Sequence, residues 1–341
     1  MQHKKDGSEQ MSLKDKVRRT ENMVIESPQF RQIIGKIAEC HERSKYTSEP
    51  RCLLIIGETG RGKTTIAKYY EKNFPRTVNH DGTIIPVLRS SVSAPATIKG
   101  MASRLLMDLG DPLPERGSIP SLTMRLCRLI KQCRVELIIL DEFQHLVDED
   151  RKKVLQSSAD WLKHILNETG VPIILMGMPW SVNILRANNQ LQRRFSSINE
   201  LKDFGWSTAK EQQDFTNFLI VLETALPLPN PSNLFSGQMA LRLFCATRGI
   251  ISNVMKLISK AAEKAFAKGF ESITIDLLAL AYNEELALAS PGSINPFFAD
   301  MEILDPFQPQ APVDSGYGVG GRGGRRKKGS AKINISTVLR K

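Results

Sequence analysis

The stretch Cys52-Leu53-Leu54-Ile55-Ile56-Gly57-Glu58-Thr59-Gly60-Arg61-Gly62-Lys63-Thr64-Thr65 leaves few folds open. A short apolar run breaks into a glycine-rich turn, and the turn runs into Lys-Thr and a helical pattern. Gly57, Gly62, Lys63 and Thr64 fill the pattern G-x-x-x-x-G-K-T. Gly57, Gly60 and Gly62 let the backbone turn its N–H groups inward, where they and the start of the next helix meet phosphate oxygens. Lys63 then reaches the β/γ-phosphates, and the Thr64 hydroxyl ligates Mg²⁺. The cradle is read as Gly57, Glu58, Thr59, Gly60, Arg61, Gly62, Lys63, Thr64 and Thr65, with ATP and Mg²⁺ as cofactors.

A second apolar run, Val135 to Leu140, ends in Asp141-Glu142. Such a run fits a central parallel strand, and its carboxyl end is where α/β folds bind ligands. Asp141 suits the Mg²⁺ shell, and Glu142 suits orienting and deprotonating the water that attacks the γ-phosphate. On its own this is a weak signal, but downstream of a full phosphate loop it is a strong one. Val171 to Gly177 reads as a further buried strand with Met178 at its tip. A Met-Pro pair cannot sense phosphate by hydrogen bonding, so that duty falls to Gln144, His145 or a neighbour. Arg193 and Arg194 precede Phe195 and a last strand near 198–203. Read as arginine fingers, they stabilise transition-state charge on a neighbouring subunit's nucleotide. Read plainly, they form a basic turn whose stems pack on Phe195.

Elsewhere the pattern is helical. Ser27 caps a helix begun by Pro28, with Phe30, Ile33, Ile34 and Ile37 on one face. That helix either covers the adenine or only packs on the sheet. Thr83 to Arg89 reads as an edge strand because of Pro86. Two helices follow, Ala96 to Leu109 and Ser121 to Cys133, where one crossover would suffice. Asp150 to Thr169 is a long helix stopped by Gly170. Thr208 to Ala225 precedes a stiff proline-rich break, and three further helices near 237–248, 252–268 and 275–288 make an all-α lid. Gly249 marks the turn where the lid would meet nucleotide, flanked by Arg248 and Asn253. The expected division is a flexible 1–25, an α/β nucleotide-binding domain over 26–206, a helical lid over 207–290 and a loose tail over 291–341.

The chain has 341 residues and a formal charge of +11. The excess sits at the ends, since Gly316 to Lys341 holds eight Lys/Arg and no acid. A basic tail suits a polyanion or simply solubility. The tail closes on an amphipathic patch, Lys332 to Arg340, built like a docking peptide. Five cysteines without C-x-x-C spacing read as reduced, buried thiols. With no apolar run long enough to span a bilayer and no signal segment, the expectation is a cytoplasmic protein without membrane contact.

Taken together, the phosphate loop, Leu140-Asp141-Glu142-Phe143-Gln144-His145-Leu146, the strand Val171 to Gly177, Gln190-Leu191-Gln192-Arg193-Arg194-Phe195 and Leu226-Pro227-Leu228-Pro229-Asn230-Pro231-Ser232 resemble the TniB/TnsC group of AAA+ ATPases that regulate DNA transposition. The likeness runs from about Glu21 to Leu288. It implies an AAA+ P-loop NTPase with a five-stranded parallel sheet and a small all-α lid. It further implies assembly into a ring or helical homo-oligomer on double-stranded DNA, recruitment of a TnsB/TniA-type transposase, communication with a TniQ-type target selector, and room for a CRISPR-associated element. Under it the two-helix insertion faces DNA, with Lys99, Arg104 and Thr123 as phosphate contacts. Met178 departs from the group, which commonly has Thr there. Two other classes remain in play: a replication initiator or loader of the AAA+ kind, and a monomeric P-loop signalling switch.

Overall fold

The computed structural model describes residues 11–47, 49–80, 82–94, 96–146, 152–287 and 294–307. The described residues up to Pro306 form one compact unit. The basic stretch Gly316 to Lys341, the docking patch within it and the expected helix start at Asp150 lie outside the described residues.

The elements in order are α1 (Leu13–Glu21), α2 (Pro28–Ser44), β1 (Cys52–Ile56), α3 (Lys63–Lys72), β2 (Thr77–Asn79), β3 (Gly82–Ile84), β4 (Val87–Ser91), α4 (Ile98–Leu109), α5 (Ile119–Gln132), β5 (Leu137–Asp141), α6 (Lys152–Thr169), β6 (Ile173–Gly177), α7 (Asn183–Ala187), α8 (Asn189–Arg194), β7 (Phe195–Glu200), α9 (Ala209–Ala225), α10 (Gly237–Thr247), α11 (Ile251–Lys268) and α12 (Ile275–Glu285). Five strands form one sheet in the order β4-β5-β6-β1-β7, and every neighbouring pair is parallel. The sequence-expected five-stranded parallel sheet is therefore present. The chain passes from β1 to the far side of the sheet and returns to place β7 on β1's other flank. Ligands bind at the carboxyl ends of strands at such a reversal.

Strand periodicity assigns the faces. Leu53, Ile55, Leu137, Ile139, Ile174 and Met176 share a core with Phe30, Ile33 and Ile37 of α2 and Ile66, Ala67 and Tyr70 of α3. Leu54, Ile56, Leu88, Ile138, Leu140 and Leu175 are equally buried and point to the opposite side. A second core is built mainly of helices, with Phe215, Phe218 and Leu222 of α9, Leu243 and Phe244 of α10, Val254, Leu257 and Ile258 of α11, and Leu277 and Leu278 of α12.

Four sequence expectations shift. The segment expected to be flexible up to residue 25 contains α1, capped by Ser12 accepting from Asp15 N (3.2 Å). The helix packs along α11, with Thr20 buried and Ile25 in the helical core. Its charges hid it, because the inward residues are few and one of them is a threonine. The strand expected at Thr83 to Arg89 is broken at Ile85-Pro86. The first half is β3, which pairs with β2 in a separate antiparallel ribbon, and the second half is the edge strand β4. The last strand begins at Phe195 rather than near 198, because Cys52 registers on Phe195. Finally, residues 294–306, expected as the start of a loose tail, lie on the helices. Asn295 donates to Ala279 O (3.0 Å), Arg242 Nη1 donates to Pro296 O (2.5 Å) and Ala299 O (2.8 Å), and Phe297 is buried. All five cysteines are buried and none is in a disulfide, and among the described residues no helix is long and apolar enough to cross a membrane.

Candidate active site

The phosphate loop leaves β1 at Gly57, whose N–H continues the ladder to Gly177 O (3.1 Å). Gly60 (φ 83°) and Gly62 (φ 87°) hold left-handed conformations, which glycine adopts without steric cost and which curl the loop over the start of α3. Lys63 is 5 % exposed. Its ammonium donates to Gly57 O (2.6 Å) and Glu58 O (3.0 Å), so the side chain folds back into the loop. Burial pushes the Lys63 pKa down, and the charges of Glu142, Asp141 and Glu58 oppose that. The acidic pair at the end of β5 and the loop lysine therefore share one electrostatic environment.

Asp141 is 1 % exposed and accepts from Glu142 N (2.9 Å). Glu142 has a left-handed backbone (φ 55°), a strained choice for a residue with a Cβ and one that concentrates at functional sites. The turn lifts its carboxylate out of the sheet, where Gln144 Nε2 donates to it and His145 Nε2 stands 3.9 Å away. Gln144 Oε1 also accepts from Met178 N (3.3 Å). Gln144, more than His145, thus joins the tips of β5 and β6. Met178 sits against the loop, with Thr59 Oγ1 3.8 Å from its sulfur. Gly177 has no room for a side chain, since a Cβ would run into Ser181 and Gln144.

Thr64 in the first turn of α3 and Asp141 are the residues that would hold Mg²⁺. A single carboxylate and a hydroxyl completed by phosphate oxygens is the kind of donor set this ion takes. Among the described residues no group of three or more His, Cys, Asp or Glu gathers to hold a metal by itself.

Several parts of the site were not legible in the sequence. Arg61, counted among the cradle residues, commits its guanidinium to a two-pronged pair with Asp203 (Nε–Oδ1 2.9 Å, Nη2–Oδ2 2.7 Å). The first helical turn of α11 touches the loop directly, with Ser252 N donating to Gly60 O (3.0 Å). Gly249 packs so closely on the segment after β7 that a Cβ would strike Phe204 O, and Gly249 O accepts from Phe204 N (3.0 Å). Arg248 instead faces Asp305 O and Pro306 O (3.4 Å each), and Asn253 reaches back to Thr247 O (3.4 Å). Beside the loop, Val24, Ile25, Phe30, Thr65, Leu201, Ile251 and Met255 line an apolar cavity suited to a flat base. The helix expected to cover adenine contributes Phe30. The other walls come from the segment before it, the start of α3, Leu201 and α11, and the apolar triplet Met23-Val24-Ile25 was the available signal.

The remaining expected residues lie apart from this centre. Arg193 and Arg194 end α8, at the amino end of β7, whereas the loop leaves the carboxyl end of the parallel β1. The five residues of β1 separate them by roughly 16 Å along the strands at about 3.3 Å per residue. Arg193 is exposed, and Arg194 Nη1 pairs with Glu49 (3.2 Å). Lys99 is exposed on the first turn of α4. Arg104 pairs with Asp108 (3.1 Å) and stays half exposed. Thr123 is a correction. It is 4 % exposed, its hydroxyl donates to Ile119 O (2.8 Å) and accepts from Trp161 Nε1 (3.0 Å), and it is a core polar residue with nothing left for a DNA phosphate.

Residues 17–206 match the family model described as bacterial TniB protein. The chain belongs to the TniB family. No curated protein matches it. Among solved structures, this TniB-family chain resembles the Aeropyrum pernix ORC2 protein, solved in ADPNP–ADP complexes, with 18 % identity, TM-score 0.57, and 80 % of this chain and 72 % of that one covered. It also resembles Cdc6p from Pyrobaculum aerophilum (13 %, TM-score 0.59, 78 % and 70 %). A third likeness is to the Aeropyrum pernix ORC1 protein in complex with DNA (17 %, TM-score 0.51, 78 % and 66 %). At these identities the likeness establishes the fold alone, a parallel α/β unit with helices following it.

Proposed function

We propose that this TniB-family chain is an ATPase that assembles with itself, as a ring or a helix, on double-stranded DNA. There it links a TniQ-type target selector to a TnsB/TniA-type transposase and is reset by hydrolysis. One observation carries the reading: the phosphate loop with Asp141 and Glu142 lies at one end of the sheet, and Arg193 and Arg194 lie at the other. A chain so built cannot bring its own arginines to its own nucleotide, so a second copy completes the centre. Thr64 and Asp141 would hold Mg²⁺, which would supply neutralisation of the charge that develops on the phosphates. Lys63 and the loop N–H groups hold the phosphates, and the apolar cavity beside the loop holds the base. Glu142, aimed by its left-handed turn and by Gln144, orients water and accepts its proton. Arg193 is the freer of the two arginines, since Arg194 is engaged by Glu49.

The test is size in solution with and without a non-hydrolysable ATP analogue and duplex DNA. A polymer that needs both is expected, and a monomer under every condition overturns the reading in favour of a signalling switch. Lys63→Ala should abolish nucleotide-dependent DNA binding. Glu142→Gln should bind ATP and remain assembled, with turnover reduced at least a hundredfold; turnover at the wild-type rate would remove Glu142 from the mechanism.

A further inference from the structure

We propose that the cleft along the outer edge of β4 seats the phosphodiester backbone of duplex DNA, as a second contact beyond the insertion that carries Lys99. This rests on the duplex-binding reading above. The cleft, ≈ 480 Å³, opens between α3, β4 and α4. Phe74, Ile85 and Val87 lie at its base, and five cations, Lys68, Lys72, Arg76, Arg89 and Arg104, stand around it.

Its two carboxylates are already committed. Glu71 takes Arg89 (2.5 Å). Asp108 takes Arg104 (3.1 Å) and the Ser90 hydroxyl (2.6 Å). Arg76 donates to the backbone carbonyl of Asp108, and among the described residues no carboxylate pairs with it. Lys68 and Lys72 are exposed one turn apart on α3, and among the described residues neither has a carboxylate partner. Like charges at this spacing destabilise a helix, so the arrangement works against the fold unless an anion offsets it. A concave wall with three surplus positive charges focuses its field on whatever enters.

The shape favours a chain of phosphates over a single one. The surplus cations are strung out along α3 and past its end and do not converge on a point. Ser91 and Arg104 also border the neighbouring groove that reaches Thr97 and Gly100, beside Lys99 in the first turn of α4. One basic strip therefore runs from the insertion to the last turn of α3. Contacts of this kind position a duplex without reading its sequence.

The experiment compares the full chain with its Lys68→Ala/Lys72→Ala/Arg76→Ala variant, in saturating ATP, binding a labelled duplex across a salt series. Removing three phosphate contacts should flatten the slope of log K against log salt by about 2.7, roughly a 40-fold difference between 50 and 200 mM. ATP binding without DNA should stay within about twofold, because none of the three touches the phosphate loop, and Lys68→Arg/Lys72→Arg/Arg76→Lys should keep the original slope. An unchanged slope in the alanine variant, with the wild type binding normally, overturns this proposal alone. Displacement of the duplex by polyglutamate at equal charge concentration, in the wild type but not in the variant, overturns it in favour of an acidic peptide. A wild type that ignores duplex DNA altogether overturns this proposal together with the reading it rests on.

Discussion

Arg61 shows how much a single side chain can tie together. It sits inside the phosphate loop, yet its guanidinium is spent on Asp203, in the segment that leads from the sheet to the helical core. Both side chains are largely sheltered, 16 % and 28 % exposed, and the two-pronged geometry is the strong form of such a pair. Asp203→Asn should lower stability by about 1–2 kcal/mol, seen as an earlier denaturant midpoint. The Arg61→Ala/Asp203→Ala double variant should be no worse than either single change; simple addition of the two losses would show that the residues act independently. Gly249→Ala is a sharper lesion, since it combines a left-handed backbone (φ 70°) with a collision against Phe204 O. It should cost about 2–3 kcal/mol and lower the thermal midpoint. His41 gives a pH signature. It is buried between Tyr70 and Glu136, and burial lowers its pKa, with Glu136 pulling the other way. The unfolded chain then binds the proton more readily, so the stabilising contribution is complete above about pH 6.5 and drains away as pH falls toward the lower folded value. Denaturation at pH 7.5 and 5.5 should show a smaller loss in His41→Gln than in the wild type.

At the scale of elements, the chain advertised whatever is periodic and contiguous. β1 and its loop, β5 with Asp141-Glu142, β6 and the helices α9 to α12 were readable because burial on both faces, or on one helical face, leaves a pattern in consecutive residues. What escaped has its partner far away. Asp203 lies 142 residues from Arg61, and nothing near either residue announces the pairing. Thr123, offered as a phosphate contact by the family resemblance, is claimed instead by the Trp161 indole 38 residues later. α1 was hidden by charge, although it lies along α11, the same helix that touches Gly60 and lines the apolar cavity beside the loop. Removing residues 1–21 should therefore lower the melting temperature by several degrees and weaken ATP binding, whereas removing residues 1–10 should do neither. Equal ATP affinity in the longer truncation would show that α1 only decorates the surface.

For the whole molecule, the decisive fact is how the halves of the candidate centre are distributed. Lys63→Ala retains Arg193 and Arg194, and Arg193→Ala/Arg194→Ala retains a complete phosphate loop. Each alone should lose on the order of a thousandfold in ATP turnover or more. Mixed, they should recover part of it, since one copy donates what the other lacks. A mixture as inactive as its components would place the arginines outside catalysis.

The separation of loop and arginines to opposite ends of the parallel strands also makes any row of these molecules directional. Every junction joins unlike faces, so the row has a head and a tail. If a second copy completes each centre as proposed, an open row ends at one extremity in a copy whose nucleotide no neighbour finishes and at the other in a copy that offers its arginines to nothing, whereas a closed ring has neither. Growth, shrinkage and capture by another protein are thus distinguishable events at the two tips, even though each subunit is chemically the same.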